Sequence, residues 1–247
     1  MKLDVKKGVL TLPTSLSPDE LREKLRKWEP WMIRIDFTNG VSTSECKQLT
    51  PFAEYPLGKF GVVEGALPLA EFAGGKLLDV GCNSGYNSLY AAARFGMTST
   101  GIDVLPRHIE VSRFLSELAG IPADFLLGNA ENFSRPEQFD LILHFGTLYH
   151  LPNPVLSLTL AFENLKPGGY LALETQVYDH PEDDKICYYM HMQNNDFSNF
   201  WALSTSVLKN CLELQGFGEI RELLKVVPKE GLARHMSRII LVAQRPA

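Results

Sequence analysis

Leu77-Leu78-Asp79-Val80-Gly81-Cys82-Asn83-Ser84-Gly85 decides the fold of this chain: an apolar strand carrying one acidic residue runs into a tight turn of small residues. Gly81 and Gly85 can turn with no Cβ in the way, so the turn is expected to open a helix and to leave backbone N–H groups bare toward a ligand. Asn83 stands where a dinucleotide fingerprint wants its second glycine. Asparagine tolerates left-handed backbone, yet a pyrophosphate would lose the close approach it needs. Asp79, near the carboxyl end of the strand, would repel a diphosphate, so a cofactor with a positive charge and no phosphate fits better. The next acidic mark, Asp103, ends the run Ser99-Thr100-Gly101-Ile102, at about the distance where a second-strand carboxylate takes a pair of ribose hydroxyls. Two carboxylates around one small-residue turn point to a nucleoside.

Around this turn, helix and strand patterns alternate, with strands expected near 76–81, 98–103, 123–128, 139–145 and 169–177. That rhythm favours right-handed parallel crossovers in one α/β sheet. After a helix at about 204–215 the rhythm changes to two strands near 219–227 and 237–244, joined by a turn from Pro228 to Arg234. Toward the N-terminus, Ser17-Pro18-Asp19-Glu20 has the capping-box arrangement and predicts a helix to about Trp28. Residues 31–37 alternate like a strand and end at Asn39-Gly40. Residues 41–60 read as an irregular connection, and a helix is expected from Gly61 to Phe72.

The chain has 247 residues, 45% of them hydrophobic, enough for one sheet covered on both faces. A net charge of −5 argues against a large nucleic-acid footprint, although tRNA can be gripped locally. Cys46, Cys82, Cys187 and Cys211 form no Cys-x-x-Cys pair, so neither a zinc site nor a disulfide framework is expected. No export signal and no membrane-length apolar run is read, and the expected location is the cytoplasm.

Five segments, in order, resemble the class I S-adenosylmethionine-dependent methyltransferases from about Lys76 to the C-terminus. Leu78 to Gly85 looks like the first motif, and Gly101-Ile102-Asp103 like the acidic end of the second strand. Asn129-Ala130-Glu131 looks like the loop after strand three, Phe139 to Phe145 like strand four, and Leu165 to Leu171 like the turn into strand five. The resemblance implies a Rossmann-like, seven-stranded, mostly parallel sheet with helices on both faces and an antiparallel C-terminal edge hairpin. It also implies a donor, S-adenosyl-L-methionine, held by its amino-acid end near Asp79 and Gly81, by its ribose at Asp103 and by its adenine near Ala130 and Glu131, with Cys82, Asn83, Gly85, Val104 and Asn129 also in the cofactor-binding set. His144 and Tyr149 complete the implied cofactor set. Residues 1–60 are read as an extension capping the site, and 61–247 as the methyltransferase domain.

Ligands of open parallel sheets bind beyond the carboxyl ends of the strands, which makes Gly146-Thr147-Leu148-Tyr149-His150 the place to look for chemistry. His150 is a candidate general base, because imidazole titrates near neutral pH; the alternative is that it caps a helix starting near Pro152. Glu174 is the second candidate, either as a base or as a carboxylate anchoring nearby loops. An aromatic-rich insertion at about 178–201 offers Tyr178, Asn199 and Trp201, with Tyr149, as acceptor-side residues. Its acidic cluster, Asp179, Glu182, Asp183 and Asp184, reads as a solvated loop, and no metal is expected.

Phe145 to His150, Leu173-Glu174-Thr175 and Trp201 to Ser204 are also similar to the bacterial tRNA wobble-uridine methyltransferase-like group, some members of which transfer a carboxymethyl unit. A carboxylated donor needs cationic partners, and family members using it are expected to place an arginine between strand five and the next helix. Tyr188 to Gln193 contains none. The resulting expectation is O-methylation of a small polar, sugar-containing or secondary metabolite. tRNA (carboxy)methylation is the alternative, and a non-catalytic S-adenosylmethionine-binding protein a further one. The oligomeric state, including a homodimer, is left open.

Overall fold

Pro18–Arg26 (α1) begins where a reciprocal cap satisfies its first turn: the Ser17 hydroxyl accepts from the Glu20 N–H, and the Glu20 carboxylate accepts from the Ser17 N–H at 2.9 Å. Leu21 and Leu25, four residues apart, form the buried stripe of α1. The computed structural model describes residues 10–31, 33–45, 55–191, 196–227 and 235–247. The Pro228-to-Arg234 turn, Cys46 and part of the 41–60 connection lie outside the described residues, as does 192–195 of the insertion. The chain divides into two compact units, Met1–Leu127 and Gly128–Ala247, and the expected extension, 1–60, falls inside the first.

In the first unit, Leu10–Leu12 (β1) pairs in parallel with Ile35–Phe37 (β2). β2 is shorter than the strand expected over 31–37. Trp31 turns instead onto α1, donating its Nε1–H to the Leu25 carbonyl at 3.1 Å, and the Thr43 hydroxyl ties the Ile33 carbonyl to the Ile35 N–H. The helix expected over 61–72 is Tyr55–Glu64 (α2) followed by a 3-10 turn at Leu69–Phe72. Pro68 disfavours helical backbone at Leu67 and cannot donate, so the helix ends before it. The sheet part is Lys76–Val80 (β3), Tyr86–Phe95 (α3), Thr98–Asp103 (β4), Pro106–Ala119 (α4) and Asp124–Leu127 (β5). β4 lies between β3 and β5 and runs parallel to both.

In the second unit, Phe139–Phe145 (β6) and Pro154–Asn164 (α5) lead to Leu165–Tyr178 (β7), which is parallel to β6. Cys187–Tyr189 (β8) and Trp201–Leu203 (β9) form an antiparallel flap that joins β7 at Val177 and Leu203. Three-residue strands leave too short an alternation to be read in sequence, and the flap was not expected. Thr205–Gln215 (α6) then leads to Gly218–Val226 (β10) and Met236–Gln244 (β11), with β11 antiparallel to both β7 and β10. α5 starts at Pro154 with Asn153 as its N-cap, so His150 does not cap it; a 3-10 turn at Leu148–His150 precedes it. The three strands β3–β5 and the four strands β6, β7, β10 and β11 are the seven expected.

Candidate functional site

The turn after β3 has the expected shape but spends its donors internally. Gly81 (φ +72°), Asn83 (φ +50°) and Gly85 (φ +75°) all take left-handed backbone. The N–H groups of Gly81 and Cys82 both donate to the Ile102 carbonyl at 2.9 Å, that of Gly85 to the Cys82 carbonyl at 2.9 Å, and that of Asn83 to Asp103 Oδ2 at 3.0 Å. These four groups are not bare toward a ligand, which corrects the expectation for the turn. A Cβ on Gly85 would sit 2.6 Å from the Phe125 ring, so this glycine lets the turn pack closely on the Phe125 side chain of β5. Cys82 is buried, and burial pushes its thiol further up, which suits packing and not nucleophilic chemistry.

Asp79 is 1% exposed and accepts from the Ser88 hydroxyl at 2.9 Å. Burial raises its pKa to about 7, with the Asp103 charge adding to the rise and Ser88 opposing it. Asp103 behaves differently. Burial alone would raise it, but the His108 ring 3.1 Å away and the N–H groups of Leu105 (2.9 Å) and Asn83 together hold it below the usual carboxylate range. The next residue, Val104, is 57% exposed. Beside the turn, a small cleft is lined by Trp28, Trp31, Ser84, Arg107 and His108 among others. Arg107 donates to the Trp28 and Pro30 carbonyls, tying the segment after α1 to α4.

In the second unit, Glu174 is 1% exposed and bound by Arg238 from β11. Arg238 Nε lies 2.5 Å from one carboxylate oxygen and Nη2 2.9 Å from the other. The register sets this up: Arg238 pairs with Gln176 and Ile240 with Glu174, so the two charges are diagonal neighbours on one sheet face. The guanidinium also lies 5.0 Å from the centre of the Tyr149 ring, and its Nη1 is 3.4 Å from the Tyr149 hydroxyl. Burial raises the Tyr149 pKa, and Arg238 opposes the rise. Glu174 therefore holds Arg238 against Tyr149. A carboxylate already ion-paired is a weak proton acceptor, which favours its anchoring role over the base.

His150 lies next to Tyr149, ring centres 4.2 Å apart. Its Nδ1 is 2.9 Å from Ser198 Oγ and 3.2 Å from the Ser198 carbonyl, and Ser198 Oγ is 2.6 Å from Asp196 Oδ1. The imidazole pKa lies below its ordinary value, chiefly because burial disfavours the charged ring. His144 is a correction: it is fully buried with Nε2 on Ser157 Oγ at 2.8 Å, so its side chain faces the interior and not a cofactor. Asn129 and Glu131 are also engaged locally. Asn129 Oδ1 accepts from the Glu131 N–H, and Glu131 Oε1 accepts from the Asn153 N–H at the start of α5. On the flap side, Tyr178 stacks on Tyr188 at 4.6 Å, Asn199 is buried, and Trp201 donates to the Pro152 carbonyl at 3.1 Å with its ring 5.0 Å from Tyr189.

Sequence reading missed Arg238, and no role was read for Asp196 or Ser198. For Arg238 a signal exists, one charge inside the apolar run of β11. For the other two nothing local marks them, because they meet His150 from 46 and 48 positions away.

A family described as "Methyltransferase domain" matches residues 71–224, and the chain belongs to it. It is a class I S-adenosylmethionine-dependent methyltransferase by family and fold. Its relatives include the "Ubiquinone biosynthesis O-methyltransferase" of Cereibacter sphaeroides, 37% identical over 105 residues, a match spanning 42% of this chain and 42% of that protein. The "tRNA U34 carboxymethyltransferase" of Klebsiella pneumoniae is 28% identical, over 85% of this chain and 75% of the relative. Among solved structures, the N-terminal domain of EvdMO1 with SAH bound aligns with a TM-score of 0.75 at 17% identity, covering 93% of this chain and 98% of that one.

The first unit's residues fit the family's donor. Asp79 is a buried carboxylate whose pKa is raised chiefly by burial and whose partner among the described residues is the Ser88 hydroxyl, a setting that an ammonium would suit. Asp103 keeps its charge and two oxygens that can accept hydroxyls, and exposed Val104 offers an apolar face beside it. Among the described residues no helix is long and apolar enough to cross a membrane.

Proposed function

We propose that this chain methylates an oxygen of a small polar, sugar-containing or secondary metabolite. The observation that carries the reading is the Tyr149-His150 turn, where a half-buried imidazole with a depressed pKa stands ready to accept a proton at neutral pH. When bound, S-adenosylmethionine supplies a sulfonium-activated methyl carbon that an acceptor oxygen takes by in-line displacement, the sulfur keeping the bond electrons. His150 takes the proton that the acceptor hydroxyl loses. Asp79 receives the donor's ammonium end and Asp103 its ribose hydroxyls. Arg238, neutralised by Glu174, holds Tyr149 in place, and Tyr178, Asn199 and Trp201 with the flap shape the acceptor side. Positioning of this kind supplies much of the rate of a displacement that is already favourable. The likeness to a ubiquinone O-methyltransferase supports oxygen as the accepting atom.

A second reading, tRNA wobble-uridine (carboxy)methylation, is favoured by the tRNA-modifying relative, which matches over most of the chain. Arg238, beside Tyr149, is already paired with Glu174, so this reading is stronger for an unmodified methyl donor than for a carboxylated one. Labelled donor offered to bulk tRNA and, separately, to a small-metabolite extract tests both. Label in the metabolite pool is the expected outcome, and label in tRNA reverses the order of the two readings.

A further inference from the structure

Three observations in the second unit bear on how His150 is held. The Ser198 carbonyl, 3.2 Å from Nδ1, is an acceptor and nothing else. The Ser198 hydroxyl has a single proton and two polar neighbours, Asp196 Oδ1 at 2.6 Å and His150 Nδ1 at 2.9 Å. Asp196 is held below the usual carboxylate range: burial would raise it, but the hydroxyl and N–H of Ser198 more than offset this. An ionised carboxylate can only accept, so the Ser198 proton points to Asp196 and its oxygen is left to accept from the ring. Both neighbours of Nδ1 therefore require a hydrogen on Nδ1. The opposite tautomer would set a nitrogen lone pair against a carbonyl and a hydroxyl oxygen that have no proton to offer.

We propose that Ser198 and Asp196 are positioning residues that hold His150 as its Nδ1–H tautomer, so that the lone pair available to the acceptor hydroxyl is on Nε2. The proposal rests on the reading of His150 as the base and extends it. In the step, the acceptor's proton passes to Nε2 as the oxygen forms its bond to carbon, and the resulting imidazolium is stabilised by Asp196 through the Ser198 hydroxyl. The charges facing the ring come from two directions. Asp196 favours the protonated form, as does the Ser198 carbonyl, while Arg238 on β11 and burial oppose it. Arg238 is itself balanced by Glu174 on β7, and the Tyr149 phenol lies alongside. The arrangement keeps the ring neutral at rest and stabilises it once charged, as general-base catalysis requires.

The test uses the full chain. Nitrogen-15 NMR of labelled histidine, at a pH where His150 is neutral and with His150→Gln for assignment, is expected to show Nδ1 protonated and Nε2 bare. An Nε2–H tautomer in the wild-type protein overturns the proposal whatever the activity. In the second arm, initial rates are measured over a range of S-adenosylmethionine concentrations up to saturation, with whichever pool accepts label. Asp196→Asn and Ser198→Ala are expected to lower kcat by roughly tenfold to a hundredfold, a part of the roughly hundredfold to ten-thousandfold that a general base contributes, with KM for the donor unchanged. In Asp196→Asn the acid limb of the rate profile moves to lower pH, because a group that favours protonation of His150 is gone. If His150→Ala is impaired while both variants keep the wild-type rate and pH profile, this proposal fails and the base reading survives. Full turnover in His150→Ala overturns both.

Discussion

Asp79 and Glu174 are both carboxylates, both 1% exposed, and both lie on strands of the sheet, one in each unit. Glu174 has a bidentate guanidinium from the neighbouring strand; Asp79 has a serine hydroxyl and a pKa of about 7. A buried carboxylate that carries its own counter-ion is part of the framework. One that lacks such a partner among the described residues suits the cationic end of the donor proposed above. On that proposal the difference separates an anchoring acid from a ligand-binding acid, although both look alike as an acidic residue in an apolar strand.

The sharpest way to break this comparison is to remove the cation. Arg238→Ala strands the Glu174 charge and is expected to destabilise the protein by about 3–5 kcal/mol in urea unfolding. Replacing both partners by apolar residues recovers most of the loss. A loss below about 1 kcal/mol for Arg238→Ala would mean that the pair is solvated and the contrast with Asp79 false.

The pH dependence of stability comes next, because Asp79 and His144 pull in opposite directions. His144 drops from 6.5 to about 4 on burial, so the native state binds fewer protons than the unfolded chain between those values. Its contribution is present above pH 6.5 and is lost as pH falls toward 4. That change amounts to roughly 3 kcal/mol. Asp79 rises from 3.8 to about 7, so its contribution is full below pH 3.8 and is lost as pH rises through 7. The two slopes offset each other between about 4 and 6.5. Asp79→Asn is expected to remove one of them, so that stability rises at and above neutral pH and falls more steeply on acidification than in the wild type. Identical pH profiles would show that Asp79 titrates normally.

The same Asp79→Asn protein is expected to bind S-adenosylmethionine roughly tenfold to a hundredfold more weakly by calorimetry, the size of a lost hydrogen bond to a charged group. A variant that is more stable yet binds less well is the signature of a site strained in favour of its ligand. Asp103→Ala is expected to weaken donor binding by about tenfold and also to cost about 1–3 kcal/mol of stability, since it leaves the part-buried N–H groups of Asn83 and Leu105 without their acceptor. Unaltered affinity would remove Asp103 from the ribose.

Much of the fold was legible because its signals are local. The five strands from Lys76 to Tyr178, the capping box at Ser17 and the C-terminal pair follow from apolar runs, turn residues and caps that lie within a dozen positions of one another. Asn83 takes the left-handed conformation expected of it. The misreadings have a common cause, which is competition from distant partners. β2 is cut short by Thr43 and α1, the turn's N–H groups are claimed by Ile102 and Asp103, and His144 is claimed by Ser157.

By itself, the sequence determined the order of strands and helices, the small-residue turn and the carboxylates at 79 and 103, because periodicity, backbone preference and residue type act over short distances. Which carboxylate carries a counter-ion, and which nitrogen of His150 carries the proton, was decided only in three dimensions. Arg238 reaches Glu174 across 64 positions and Ser198 reaches His150 across 48. Charge and protonation state depend on what is within a few ångströms, and only the tertiary structure sets those neighbours.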